Sequence, residues 1–425
     1  ITPVVFSVGL CAAIYFATLQ LTKKRIIAAF AIFFTVFATS FGPIVPFIKT
    51  FFGWNYVTGA GNIFMTDQIF PMMINPQGVL SLIIYLSIFL LFCRYERSRK
   101  IVSLVLISVL LGISFGVKAY GGILFAPAAI VASLSFLVRK NDWKPFLTVG
   151  FGVILMGLWF LYSIDSKVAG LSFAPFWLLG RMMTDIDRLN EPRLALLSGW
   201  RFIVLVFSEL VIFLVGSLGF RIFGLLSINK KLSLGRVFLY TVGLFSLLVP
   251  LFFNQSSKAY EVIQFFPYFS LLMGLLFTIS VFRLPRIFPI LFLIVFLAFD
   301  KQELDRRFAN SNEKITIPKA EIAAVDYIRR NTNPSAIFLV ASSGFNSDYL
   351  WFSALTGRRT VYAGERFNIQ VGVDTRRLSQ EVQDSKFDYV FVSQTLDGGS
   401  VKISNQKNLK LVFQNGGAQV YKYEQ

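Results

Sequence analysis

The stretch "SFGVKAYGGILFAP" (residues 114–127) lies inside a run from Ile101 to Val138 whose only charged residue is Lys118. As one helix, the 38 residues of that run would reach roughly 57 Å at about 1.5 Å per residue, against a bilayer hydrocarbon core of roughly 30 Å. The run must fold back on itself. Turn chemistry occurs at "KAYGG" (118–122): Gly121 and Gly122 lower helix propensity, and Lys118 and Tyr120 can reach a membrane interface. A tight helical hairpin is expected there, with Lys118 where the chain touches water.

The whole composition points the same way. Of 425 residues 55% are hydrophobic and 48 are phenylalanine, with a mean hydropathy of +0.64, outside the range of soluble globular domains. An integral membrane protein is implied. The net charge of +18 is uneven: residues 1–300 hold 24 Lys and Arg against 10 Asp and Glu, and residues 301–425 hold 17 against 13. The excess belongs to the membrane part, where it reports topology rather than a nucleic-acid partner. Histidine is absent, which leaves acid-base chemistry mainly to carboxylates. Cys11 and Cys93 fall in apolar segments and read as small buried hydrophobes.

Apolar windows give ten spans, near 2–21, 26–48, 78–93, 101–117, 122–138, 145–163, 200–226, 237–253, 262–281 and 287–299. Alternate links carry "TKKR" (22–25), "RYERSRK" (94–100), "RKNDWK" (139–144), "NKKLSLGR" (229–236) and "FRLPR" (282–286), fifteen basic residues together. By the positive-inside rule these five are cytoplasmic. The remaining links, residues 49–77, the Lys118 turn, 164–199 and 254–261, hold Asp67, Asp165, Asp185, Asp187, Glu191 and Glu261 and are assigned to the outer face. The alternation predicts an outward N-terminus, and the opening "ITPVVFSVGL" without methionine is read as a start lacking an upstream segment, most simply one span.

From about Lys301 the composition becomes that of a soluble domain. "PKAEIAAVDYIRRN" (318–331) places Ile322, Val325 and Ile328 at helical spacing. "AIFLVAS" (336–342), "RTVYAG" (359–364) and "FDYVFVS" (387–393) read as strands. "NSDYLWFSALTG" (346–357) and "TRRLSQEVQD" (375–384) read as helices, and "LKLVFQNGGAQVYKYE" (409–424) as a hairpin turning at Asn415-Gly416-Gly417. The expected architecture is therefore an α-helical polytopic membrane domain, residues 1–300, followed by a small α/β domain, residues 301–425, on the outer face.

Two outer loops can carry chemistry. Residues 49–77 combine Trp54 and Tyr56 with Asn55, Asn62, Asp67 and Gln68, flat rings beside polar partners that suit a sugar; an aromatic belt explains the same residues. The second loop holds "GRMMTDIDRLNEPR" (180–193). Its Asp185 and Asp187 can hold a divalent cation, magnesium or manganese, or act as base, while Arg181 and Arg188 can grip a phosphate; an internally paired, solvated loop is the plainer reading. Lys118 and Lys258 stand at outer helix ends, where each meets a lipid phosphate or snorkels. Glu209 lies about 13 Å into the seventh span at 1.5 Å per residue, so it must face the bundle interior and find a partner on another helix. "ASSGFNSDY" (341–349) follows a strand and reads as an anion cradle or an ordinary turn.

In layout the chain resembles the polytopic glycosyltransferases of the GT-C type, the superfamily of protein O-mannosyltransferases and aminoarabinose transferases. The residues that carry the resemblance are "GISFGVKAYGGILFAPAAI" (112–130), "SKAYEVIQFFPYFSLLMGLL" (257–276) and the α/β opening "EIAAVDYIRRNTNPSAIFLV" (321–340). The resemblance implies a plasma-membrane enzyme that takes a sugar from a polyprenyl-phosphate donor on the outer face and gives it to a lipid, glycan or protein acceptor. The family's catalytic carboxylates follow its first span, so the base is expected upstream of Ile1, with Asp67, Asp185 and Asp187 as fallback candidates. Lys118, Lys258, Arg181, Arg188, Trp54, Tyr56 and Glu209 are the candidate substrate-binding residues. A transporter or flippase for lipid-linked glycans is the rival and predicts several midplane charges; by sequence Glu209 stands alone. A noncatalytic binding module built on the α/β domain is the third reading.

Overall fold

The computed structural model describes residues 2–36, 76–163, 171–179, 199–229, 232–255, 263–297, 318–341, 350–360, 387–393 and 408–424. Each of the ten apolar windows contains a helix. They are α1 (Thr2–Thr22), α2 (Arg25–Val36), α3 (Pro76–Ser98), α4 (Ile101–Val117), α5 (Ala119–Lys140), α6 (Lys144–Ser163), α7 (Trp200–Leu218), which continues as a 3-10 segment (Gly219–Ser227), α8 (Leu234–Phe252), α9 (Phe266–Val281) and α10 (Ile287–Leu297). Seven of these regions are long and apolar enough to cross a membrane, while α2, α4 and α10 are shorter over the described residues. The protein is a polytopic membrane protein with an α/β region near its C-terminus.

The chain divides into two units, the first of residues 1–164 and 171–310, the second of 165–170 and 311–425. In the membrane unit α9 is the innermost helix, with 83% of its window buried against 17% for α6. Glycines let the neighbours approach it. A Cβ on Gly224 of the 3-10 segment would stand 2.7 Å from the Met273 carbonyl oxygen, and one on Gly274 would stand 2.9 Å from the Thr35 Cα of α2. Lipid supplies no hydrophobic drive between helices, so such close backbone contact is what holds the bundle.

All five cationic links meet at one end. Gln20 near the end of α1 accepts from Lys23 Nζ at 2.9 Å and from Arg97 of the second link at 3.3 Å. Arg99 pairs with Asp142 of the third link at 2.6 Å, and Tyr95 donates to the same oxygen at 2.7 Å. The fourth link joins through Arg139 to the Leu232 carbonyl and through the Leu234 N–H to Glu96 at 3.0 Å. Arg283 of the fifth reaches the Leu226 carbonyl at the end of the 3-10 segment, at 3.2 Å. Three of the turns are closed by a non-glycine residue in the left-handed region, Lys23, Arg99 and Asn141, each donating its N–H to the carbonyl four residues back at 2.8 Å. The common location of the five links is what alternate crossing requires.

The second unit holds α11 (Lys319–Asn331), β3 (Ile337–Ala341), α12 (Leu350–Thr356), β4 (Arg359–Thr360), β5 (Tyr389–Ser393), β6 (Leu409–Asn415) and β7 (Ala418–Tyr423). Its sheet runs in the order β4-β3-β5-β7-β6, parallel from β4 to β5 and antiparallel beyond. The predicted hairpin is present and turns at Gly416, φ 53°. Ala324 and Ile328 of α11 pack with Phe338, Phe352, Phe391 and Val420. The inward stripe is Glu321, Ala324, Val325 and Ile328. Ile322, expected inside, is 47% exposed, because the apolar positions at 325 and 328 select the face one residue back. The expected helix 375–384 lies outside the described residues. Arg358 ends α11: its guanidinium donates to the carbonyls of Arg329 at 3.2 Å and Thr332 at 2.9 Å, and to Thr332 Oγ1 at 3.1 Å.

Partial burial raises the Asp142 carboxyl, but hydrogen bonds from Tyr95 and the Lys144 N–H and the charge of Arg99 outweigh it and hold the group below its usual 3.8. A depressed folded-state value stabilises above the unfolded value and is lost as pH falls through the folded one. Detergent-solubilised protein should therefore lose stability below about pH 4, whereas Asp142→Asn should be about 1–3 kcal/mol less stable at pH 7 with a flatter acid limb in thermal melts. Arg358→Ala should cost the α/β unit about 2 kcal/mol, read as faster limited proteolysis in that unit. Arg358→Lys should restore less than half, since an ammonium lacks the guanidinium's planar fork.

Candidate functional site

The helical hairpin at Lys118 is real, but the break falls on Lys118 itself, with φ −158° and ψ 116°. Gly121 and Gly122 are not the turn; they lie in the first turn of α5, where their N–H groups donate to the Lys118 carbonyl at 3.0 and 3.3 Å. Glycine is needed there for contact across the hairpin: a Cβ on Gly122 would stand 2.9 Å from the Phe115 Cα. Lys118 is only 9% exposed, so the expectation of a residue reaching out to water is corrected. Its ammonium lies 5.7 Å from the centre of the Tyr120 ring, a cation held partly by an aromatic face.

Tyr120 in turn meets Phe265, just before α9, edge-on at 4.8 Å. Within that first turn of α5, Gly121 leaves room for a buried hydroxyl pair, Ser81 Oγ and Tyr268 OH at 2.6 Å. Tyr268, Phe125 and Tyr85 pack ring against ring, and the Tyr85 hydroxyl donates to the Leu239 carbonyl at 2.7 Å. The starts of α3 and α9 and the Lys118 turn are thereby locked together. Nearby in sequence, β1 (Leu171–Phe173) and β2 (Phe253–Gln255) pair antiparallel, and the Ala174 and Phe176 N–H groups donate to the Phe252 and Leu251 carbonyls. This pairing, unforeseen in the sequence because each strand is three residues long, ties the 164–199 link to the start of the 254–261 link.

Glu209 is buried as expected, 1% exposed, on a stripe of α7 with Phe213, Gly216 and Ser217. Its Oε1 has no hydrogen-bond partner among the described residues. Sequence reading missed Arg221, which is fully buried in the 3-10 segment and donates to Ser270 of α9. The signal was available: apart from Arg201 at its very start, it is the basic residue inside the window 200–226. Glu209 is thus not the lone charge of the bundle. Asp67, Asp185, Asp187, Lys258, Arg181, Arg188, Trp54 and Tyr56 lie outside the described residues. Among the described residues no three Cys, Asp or Glu side chains gather as a metal site. A groove of about 380 Å³ between α4 and α6 is lined by apolar side chains including Ile113, Leu158 and Trp159.

No family model matches the chain, and no curated protein matches it. Among solved structures it is similar to a crystal structure of the oligosaccharyltransferase of Archaeoglobus fulgidus in complex with zinc and sulfate, at 13% identity and a TM-score of 0.45. The match covers all of this chain and 61% of that one. At that distance no residue role passes from one chain to the other.

A double-mutant cycle tests the lock under Lys118. Gly121→Ala should destabilise the bundle by about 2–3 kcal/mol, because the new methyl overlaps Ser81 Oγ. Adding Ser81→Ala should recover at least half of that loss in detergent melts, and strict additivity of the two changes would show that the hydroxyl is not what Gly121 accommodates.

Proposed function

We propose that the chain is a membrane glycosyltransferase that moves a sugar from a polyprenyl-phosphate carrier to an acceptor hydroxyl on a lipid, glycan or protein. The observation that carries this reading is the buried Lys118, set at a helix break and backed by Tyr120, at the end of the bundle where the starts of α3 and α9 meet. A cation held in a low-dielectric site gains most when it meets a phosphate leaving with new negative charge. The resemblance of residues 112–130 and 257–276 to the GT-C type supports the same reading.

In the reaction a carboxylate takes the acceptor's hydroxyl proton while the oxygen forms a bond to the anomeric carbon. The bond from that carbon to the carrier phosphate breaks, and its electron pair leaves on the phosphate, which Lys118 meets together with Lys258, Arg181 or Arg188. Asp67, Asp185 and Asp187 are the candidates for the base, with Trp54 and Tyr56 stacking on the sugar. The reaction takes place at the outer face of the plasma membrane, with the α/β unit on the same side.

The flippase reading gains one observation, the pair of buried charges Glu209 and Arg221. Proteoliposomes separate the two. With a radiolabelled polyprenyl-phosphate sugar and crude membrane acceptors, transfer is expected; transbilayer movement of the carrier without transfer would favour the flippase. Lys118→Ala should lower transfer about a hundredfold, with Lys118→Arg retaining a measurable fraction. Full activity of Lys118→Ala at wild-type expression would remove Lys118 from the phosphate site.

A further inference from the structure

α7 is built differently from every helix around it. It runs between two glycines in backbone conformations that L-residues avoid, Gly199 with φ 65° and ψ −140° and Gly219 with φ 56° and ψ −135°. On its far side the 3-10 segment is anchored. Gly224 lies against the α9 backbone, Arg221 donates to Ser270, Ser227 and Ser280 share a hydrogen bond of 2.6 Å, and Ser280 donates to the Phe223 carbonyl at 2.9 Å. This nine-residue 3-10 stretch, longer than the usual three or four, follows directly on the C-terminal end of α7.

α7 has no comparable anchorage. Trp200, Ile203, Val204 and Phe207 of its first half are all more than half exposed. Among the described residues no side-chain hydrogen bond or ion pair joins α7 to another element; its one aromatic contact outward is Phe213 on Phe266, at 5.1 Å. The buried residue it carries inward is Glu209, whose Oε1 finds no partner among the described residues. A buried carboxylate oxygen without a partner costs free energy in the packed position, so that position competes with one in which Glu209 is hydrated.

We propose that α7 is a rigid arm that swings between its glycine ends on the fixed 3-10 segment, carrying Glu209 between the bundle interior and water. The glycines supply the freedom, the clamp at α9 supplies the fixed point, and the unpartnered Oε1 of Glu209 keeps the packed state from dominating. The proposal stands apart from the transferase reading, because it concerns the resting protein.

The test uses the full chain in lipid nanodiscs in a Cys11→Ala background, Cys93 being buried. Spin labels are placed at Ile203 on α7 or at Leu226 on the 3-10 segment, each paired with one at Val138; all three sites are 68% or more exposed. Pulsed electron paramagnetic resonance should give a 203–138 distance distribution at least twice as wide as that of 226–138. Equal widths would overturn the swing. Gly219→Ala should shift the 203–138 distance and leave 226–138 unchanged. Glu209→Cys should react with a charged thiol reagent at least tenfold faster than Ser246→Cys, a fully buried position on α8. Equal rates would show that position 209 does not reach water.

Discussion

Backbone contact with α9 is the constraint on which the membrane unit depends. A helix buried over most of its length inside lipid cannot be held by the hydrophobic effect, since lipid tails are as apolar as its side chains. It is held by fit and by hydrogen bonds without a competing solvent. Gly224 and Gly274 bring the 3-10 segment and α2 to its backbone, and Gly243 of α8 leaves no room for a side chain beside Leu272. Tyr268 reaches Ser81 of α3, Ser270 takes a hydrogen bond from Arg221, and Ser280 joins Ser227. These three hydroxyls are each placed where a neighbouring element can satisfy them.

The two ends of the bundle follow from different physics. One end is stitched by long basic side chains that reach carboxylates, amides and carbonyls of neighbouring links. Asp142 alone gathers Arg99, Tyr95 and the Lys144 N–H. The other end is held by rings and hydroxyls beside Lys118, and by the short β1–β2 pairing. Charge spread along exposed links secures the first end; at the second, Lys118 is buried beside the Tyr120 ring.

Much of this was legible before any tertiary structure. Apolar windows report helices because lipid allows no other open arrangement of backbone hydrogen bonds, and all ten windows hold one. The cationic links alternate in sequence and meet in space. The hairpin at residues 415–417 was signalled by Asn-Gly-Gly, where a positive φ is needed. The site was less legible. The glycine pair after Lys118 has the local chemistry of a turn, yet serves interhelical contact, a distinction that depends on what lies opposite in Phe115 and Ser81. Ile322 and Ala324 fit a helical stripe almost equally by spacing, and packing against the sheet selects Ala324.

By itself the sequence determined that the chain enters the membrane many times, which turns share a side, and that an α/β unit follows, because hydropathy and charge act locally against a solvent of known thickness. Only the tertiary structure decided that Lys118 is enclosed rather than exposed, that Arg221 is a fully buried cation, that residues 171–173 and 253–255 pair, and that one span changes from α to 3-10 geometry at Gly219. Each of these depends on which residues, far apart in the chain, are brought within van der Waals or hydrogen-bonding distance, and no local pattern encodes that.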